Sequence, residues 1–376
     1  LITRVLRDIF RVNLGVRKRE NVLIFNDRLS KKEDVIESDE GRRTKLRSLA
    51  MLAAETGKSF CKLVTRFEYP STGSHGAEPP ASLWRLAFGE KAVEVLEKES
   101  LLRPILGKRA NASVVKRAED IIRKYKHQAV DCVIALSNYS TSHTMFRDFL
   151  TRICGCRYAS MPLFDVSMLE GSMNVDWKKL AKMTKDLAKM VNTAECIDIK
   201  TPNGTLISLS KRGRKALADT GIITRKGSFS NLPAGEVYLA PVEGTAGGKL
   251  VLEWGPTRQL ESPVTLTVRD GYVSDVTGKD EYASYIRKKL AERKENGNIA
   301  ELGIGTNSEA KRPDNILESE KILGTIHIAL GDNSSFGGNV KTPFHQDFVF
   351  FKPTVTLINK NGIKQDILRA GKLLRL

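Results

Sequence analysis

Ala129-Val130-Asp131-Cys132-Val133-Ile134-Ala135-Leu136 is a nearly unbroken apolar run that stops at polar Ser137-Asn138. A strand apolar on both faces belongs inside a sheet covered on both sides, which is the usual state of a parallel sheet. Working outward, residues 113–126 and 91–98 read as helices, Phe60-Cys61-Lys62-Leu63-Val64 as a strand, 41–56 as a helix and Asn21-Val22-Leu23-Ile24-Phe25 as another buried strand. This alternation predicts an α/β domain with a mainly parallel sheet. Residues 143–153 and 176–191 extend the helical share. In the second of these, Leu180, Met183, Leu187 and Met190 recur at three- and four-residue spacing, the pattern of a core-facing helix.

Beyond about residue 200 the texture changes to strands and tight turns. Asn203-Gly204, Asp270-Gly271 and Asn361-Gly362 are hairpin signals, the second set between Val264–Val268 and Tyr272-Val273. One helix, from about Glu281 to Lys294, interrupts them and ends at Asn296-Gly297-Asn298. The reading is therefore α/β: residues 1–200 form the parallel α/β domain and 201–376 a strand-rich α+β domain that binds metal. Ser71-Thr72-Gly73-Ser74-His75-Gly76 with Pro79-Pro80 is the most linker-like piece, expected as a surface loop. Gly244-Thr245-Ala246-Gly247-Gly248 lacks the Lys-Ser/Thr pair of a phosphate loop and reads as a turn between strands.

Composition narrows the function classes. The chain carries 61 basic and 44 acidic residues, a net +17, but the surplus is uneven. Residues 226–350 hold 14 basic and 17 acidic side chains, against 41 and 26 in residues 1–225. The basic residues are interspersed with acids, as in Lys31-Lys32-Glu33-Asp34, without an aromatic platform, so a solvated surface is expected rather than a nucleic-acid partner. No apolar run approaches the ~18 residues needed to span a bilayer, and a membrane partner is not expected. Leu1-Ile2-Thr3-Arg4-Val5-Leu6 has neither the long apolar stretch nor the small-residue cleavage site of a secretory signal. Five cysteines, an odd number, fit reduced thiols in a cytoplasm, and Cys154-Gly155-Cys156 has the wrong spacing for a redox or zinc pair.

The chemistry-bearing residues are Glu236, Glu301, His327, His345 and Asp347, each in a short apolar, strand-like segment. His345 and Asp347 are two apart, so an extended backbone points both to one face. In Thr325-Ile326-His327-Ile328-Ala329-Leu330 the alternation sets His327 opposite the isoleucines, on the face of Thr325 and Ala329. Glu236 and Glu301 lie in apolar runs where an unpaired carboxylate is costly, so each calls for a cation. Mixed imidazole and carboxylate donors suit zinc, cobalt, manganese or ferrous iron, as one ion or as two bridged by a carboxylate.

Four ordered segments carry a resemblance: Asn231 to Pro241 around Glu236, Ala300 to Asn307 around Glu301, Gly324 to Gly331 around His327, and His345-Gln346-Asp347. They resemble the motifs of the aminopeptidase T type metallopeptidases. The resemblance implies a cytoplasmic homodimer that releases N-terminal amino acids from a peptide substrate by a metal-activated water. Its one or two divalent ions (Zn, Co or Mn) would be held by Glu236, Glu301, His327, His345 and Asp347, with Glu236 and Glu301 also catalytic. Two positions depart from the peptidase pattern: Gly235 stands where many members have a second Glu, and Ser334 where they have a Tyr ligand. Relatives of the same group include a ring-cleaving dihydroxypyridine dioxygenase with one ferrous ion, for which Glu236, His345 and Asp347 offer a comparable donor set. A metal-binding dimer without turnover is the third reading.

Overall fold

The computed structural model of the protein describes residues 1–30, 33, 35, 37–256 and 258–374; Lys31, Lys32 and Asp34 of the mixed-charge run lie outside them. The chain forms two compact units, Leu1–Trp177 with Gly221–Pro233, and Lys178–Thr220 with Ala234–Leu376. The units are thus not two contiguous pieces divided at residue 200. Helix Trp177–Val191 and strands Ala194–Lys200 and Leu206–Ser210 go almost wholly with the second, and segment 221–233 returns to the first. The reason is strand pairing: Phe229–Asn231 adds a parallel edge strand beside Arg157–Ser160.

The first unit is built on an all-parallel five-stranded sheet in the order 63–70, 21–28, 132–135, 157–160, 229–231. The apolar run of the sequence contracts to strand Cys132–Ala135, every residue of it buried. Phe60 is not in the next strand, which starts at Leu63; its N–H instead closes the turn after helix Glu37–Gly57 and its ring stacks on Phe10 at 5.5 Å. Trp84, Phe88, Phe146 and Phe149 form an aromatic cluster between helices and sheet, Trp84 stacked on Phe88 and the other contacts edge-to-face. Each such side chain contributes roughly 1.5–3 kcal/mol of burial. The loop read as a linker is anchored within this unit, where buried Glu78 accepts the N–H groups of Met145 and Phe146 at 2.5 and 3.1 Å. All five cysteines are free thiols.

The second unit holds two sheets. One is antiparallel and eight-stranded, in the order 272–277, 259–269, 247–254, 206–210, 194–200, 354–359, 364–369, 372–373. Its hairpin at Asp270-Gly271 needs left-handed backbone at both residues, φ 48° and 76°, as the sequence signal anticipates. The other sheet has five strands, in the order 345–350, 326–331, 299–305, 236–239, 217–219, all antiparallel. One apolar core joins the two sheets, with Val237, Leu302, Ile304, Ile328 and Phe348 facing Leu209, Leu250, Leu266 and Val355. Among the described residues, no helix is long and apolar enough to cross a membrane.

Candidate metal centre

The opposite face of the five-stranded sheet carries the site. Side chains alternate across a strand, so burying Val237, Leu302, Ile304, Ile326, Ile328 and Phe348 sends Glu236, Glu301, His327, His345 and Asp347 to the same other face. Register then sets their neighbours. Glu236 pairs with Gly305, His327 with Gly303, His345 with Gly331, and Glu301 and Asp347 flank Ala329. Every functional side chain on this face thus lies beside a glycine or alanine. At Gly303 the need is steric: a Cβ there would sit 1.9 Å from His327 Cε1, so the imidazole lies flat over bare backbone.

The donors form two groups around Glu301. Its Oε2 is 3.5 Å from His345 Nε2, which is also 3.5 Å from Asp347 Oδ2. Its Oε1 is 3.4 Å from His327 Nε2, which lies 3.5 Å from Glu236 Oε2. Among the described residues, Glu301, His345 and Asp347 are the cluster of three or more such groups whose ligand atoms all come within 4.8 Å. Glu236, set with His345 and Asp347 in one reading of the sequence, instead lies on the His327 side of Glu301. Its Oε1 is taken by Lys321 Nζ at 2.7 Å, and Lys321 also reaches Glu320 Oε2 at 2.9 Å.

Exposure grades across the site. Glu236, Glu301 and His327 are buried, while the side chains of His345 and Asp347 keep 20% and 17% of their accessibility, so the cluster has one open side. Phe336 lies beside that side, edge-on to His345 at 6.1 Å and to Tyr238 at 5.9 Å.

Protonation follows from the crowding of charge. Burial alone would push His345 down, but Asp347 and Glu301 outweigh it and raise the imidazole to about 10. His327 behaves likewise, raised to about 9 by its hydrogen bond to Glu301 and the charges of Glu236 and Glu320. Burial lifts Glu320 to about 7 against the pull of Lys321. For Asp347, burial is outweighed by His345, and its carboxyl is held below the usual range.

The donor set fits a first-row divalent ion. Such an ion needs oxygen and nitrogen atoms about 2.0–2.2 Å away, hence roughly 3–4 Å from one another. The 3.5 Å separations at His345 are too long for good hydrogen bonds and suit that spacing. His345 Nδ1 lies 2.8 Å from the carbonyl oxygen of Asp332, which only accepts, so Nδ1 keeps its proton and Nε2, protonated beside the carboxylates in the metal-free site, is the nitrogen that would lose its proton to a metal. Asp332 thus serves through its backbone; its carboxylate caps the N–H groups of Ser334 and Thr342.

Sequence reasoning missed Lys321, Glu320, Phe336 and Tyr238. Lys321 sits in the run Glu318-Ser319-Glu320-Lys321, which reads as solvated surface although the lysine is wholly buried. Only Tyr238 had a signal, being two residues from Glu236 on one strand.

Fold and site together give an antiparallel sheet carrying an imidazole–carboxylate cluster of the kind that could hold a divalent ion. The sequence profile of the 2,5-dihydroxypyridine 5,6-dioxygenase family matches residues 168–373, more than half of the chain, and the protein belongs to that family. A 2,5-dihydroxypyridine 5,6-dioxygenase of Pseudomonas putida is 26% identical over 148 residues, covering 35% of this chain and 42% of that relative's length. The structure of 2,5-dihydroxypyridine dioxygenase from Pseudomonas putida KT2440 superposes with a TM-score of 0.69 at 16% identity, over 100% of this chain and 97% of that one. AmpT from Thermus thermophilus gives 0.59 at 15% identity, over 100% and 99%. At these identities the structural likenesses speak for the fold.

The aminopeptidase expectation is thereby corrected. The aminopeptidase T likeness is one of fold, while the family profile and the curated relative are those of a 2,5-dihydroxypyridine 5,6-dioxygenase, an oxidoreductase and not a peptide hydrolase. The two departures have physical grounds. Gly235 sits at φ +118°, where an added Cβ would lie 2.9 Å from Asn307 Cβ and 3.1 Å from Leu180 Cδ1, so a glutamate has no room there. Ser334 is exposed in a turn, its hydroxyl donating to Asp332 at 3.0 Å. A dioxygenase family calls for a metal, in keeping with the divalent ion expected from the donors.

Proposed function

We propose that this chain is an Fe(II)-dependent dioxygenase that opens the ring of 2,5-dihydroxypyridine or a close hydroxylated pyridine, using one ion held by Glu301, His345 and Asp347. The observation that carries the reading is the convergence of those three donors, with His345 Nδ1 turned to the Asp332 carbonyl and Nε2 to the carboxylates, inside the region matched by the family profile. Bound there, ferrous iron supplies the redox chemistry that lets molecular oxygen react with an electron-rich ring.

The chain's own residues bind and orient. Glu301 and Asp347 supply two negative charges that favour a divalent ion, and His345 a neutral nitrogen. Phe336 and Tyr238 form an aromatic wall against which a flat heterocycle stacks or packs edge-on. Buried His327, fixed over Gly303, places Nε2 3.4 Å from Glu301 Oε1 and holds that carboxylate in place. The test is direct: protein loaded anaerobically with Fe(II) should consume one O2 per 2,5-dihydroxypyridine with loss of the ring's ultraviolet absorption. Iron bound without oxygen uptake on any of a panel of dihydroxypyridines would contradict the reading.

A further inference from the structure

The proposed iron ligands use only part of the charge on this sheet face. Glu301 turns its second oxygen, Oε1, toward His327 Nε2, which also faces Glu236 Oε2. Glu236 Oε2 and His327 Nδ1 are buried with no hydrogen-bond partner. A carboxylate with one oxygen toward each of two donor groups is the arrangement that bridges a pair of ions. At the far side of Glu236 stands a cation that belongs to the protein: Lys321, wholly buried, with Nζ 2.7 Å from Glu236 Oε1 and 2.9 Å from Glu320 Oε2.

The backbone is built to hold it there. Lys321 follows the short helix Ile316–Ser319, and its carbonyl accepts the Asn307 N–H at 2.8 Å, while the Leu323 N–H donates to the Asn307 carbonyl at 3.0 Å. This brings the segment so close to strand 299–305 that a Cβ on Gly305 would lie 2.1 Å from the Ile322 carbonyl oxygen and 2.8 Å from the Lys321 carbonyl carbon. Gly305 is also the register partner of Glu236. The same glycine therefore admits the lysine and places the carboxylate it neutralises.

We propose that Lys321 is a built-in cation standing in for a second metal ion: its ammonium neutralises Glu236 and Glu320 and restricts the centre to one divalent ion on Glu301, His345 and Asp347. An ammonium has three donors and no lone pair, so it satisfies carboxylates without ligating a metal, and it repels a divalent ion brought beside it. Lys321 is a positioning residue. It keeps Glu236 and His327 from recruiting an ion and leaves Glu301 Oε2 to the His345 side. The inference rests on the ligand assignment made under the proposed function.

The test counts metal and does not involve turnover. The full chain, as wild type, Lys321→Ala, Lys321→Gln and Lys321→Arg, is equilibrated with Mn2+, an air-stable probe. Bound metal is measured by mass spectrometry and its nuclearity by electron paramagnetic resonance. Wild type and Lys321→Arg should bind one isolated Mn2+ per chain, and Lys321→Ala should bind two that are exchange-coupled. Should Lys321→Ala not fold, Lys321→Gln removes the charge while keeping a hydrogen-bonding side chain, and two ions are expected there also. Two ions in the wild type, or one ion in a folded Lys321→Ala or Lys321→Gln protein, would overturn the proposal. A wild type that binds no Mn2+ would overturn it together with the ligand assignment. A wild type that binds one ion but opens no ring contradicts only the proposed activity.

Discussion

The two units each bury a knot of ionisable side chains, and the knots differ in how their charge is satisfied. In the first unit Asp27, at the C-terminal end of strand 21–28, accepts the Asn138 N–H at 2.6 Å and the Tyr139 N–H at 3.4 Å, while buried Arg43 pairs with Glu33 at 2.6 Å and lies over the Tyr139 ring. Each carboxylate there has a donor of the protein's own. In the second unit Glu236, Glu301, Glu320 and Asp347 crowd around one lysine and two imidazoles, and polar atoms of Glu236 and His327 are left without hydrogen bonds. The first knot also leaves Arg43 Nε and Nη2 buried without a hydrogen-bond partner, so what separates the two is the carboxylates: matched by protein donors in the closed knot, and in excess of them in the open one, where an ion has a place.

That contrast is broken or sharpened by substitutions in both knots. The largest effect is expected at the open one. Asp347→Ala and His345→Ala should each lower metal affinity by more than about 100-fold, and His345→Ala should also destabilise the metal-free protein, because it removes the cation that Asp347 and Glu301 hold protonated. Isothermal titration and denaturation scans read both quantities. The closed knot should respond the other way: Arg43→Met should cost about 3–5 kcal/mol by leaving buried carboxylate charge unpaired, and should leave metal stoichiometry unchanged. A metal-affinity change in Arg43→Met larger than that in Asp347→Ala would reverse the assignment of roles.

A pH experiment separates the first unit's buried acids from the metal centre. Burial raises Glu78 to about 7, against the N–H groups of Met145 and Phe146 and the charge of Lys108. A carboxyl whose folded value exceeds its unfolded one binds more protons when folded. Its contribution is therefore fully present below the unfolded value of about 4.3 and is lost as pH rises through 7, by up to about 4 kcal/mol. Glu78→Gln should flatten the urea-midpoint profile between those limits; an unchanged slope would contradict the burial argument. The smallest effect is expected at Gly303→Ala, about 1–3 kcal/mol from the clash with His327, with a modest weakening of metal binding as the imbalance reaches Glu301.

The sequence made the strands and their faces legible, and far less of their company. Two-residue alternation in Thr325 to Leu330 put His327 on its observed face, and His345-Gln346-Asp347 shares one face as that spacing requires. What alternation does not encode is cross-strand register. Register groups Glu301, rather than Glu236, with His345 and Asp347. Lys321 and Glu320 were invisible because a charged loop of mixed sign looks like surface until Gly305 is seen to admit it. The return of segment 221–233 to the parallel sheet was equally hidden, since Phe229–Asn231 is a three-residue strand with no periodicity to read.

The central claim is that one ion sits among Glu301, His345 and Asp347. It is tested most directly by anomalous scattering at the iron edge from crystals of the Fe(II)-loaded protein. A single peak within bonding distance of Glu301 Oε2, His345 Nε2 and Asp347 Oδ2, with Lys321 Nζ still on Glu236, is the expected result. A peak between Glu236 and His327, or two peaks bridged by Glu301, would contradict it.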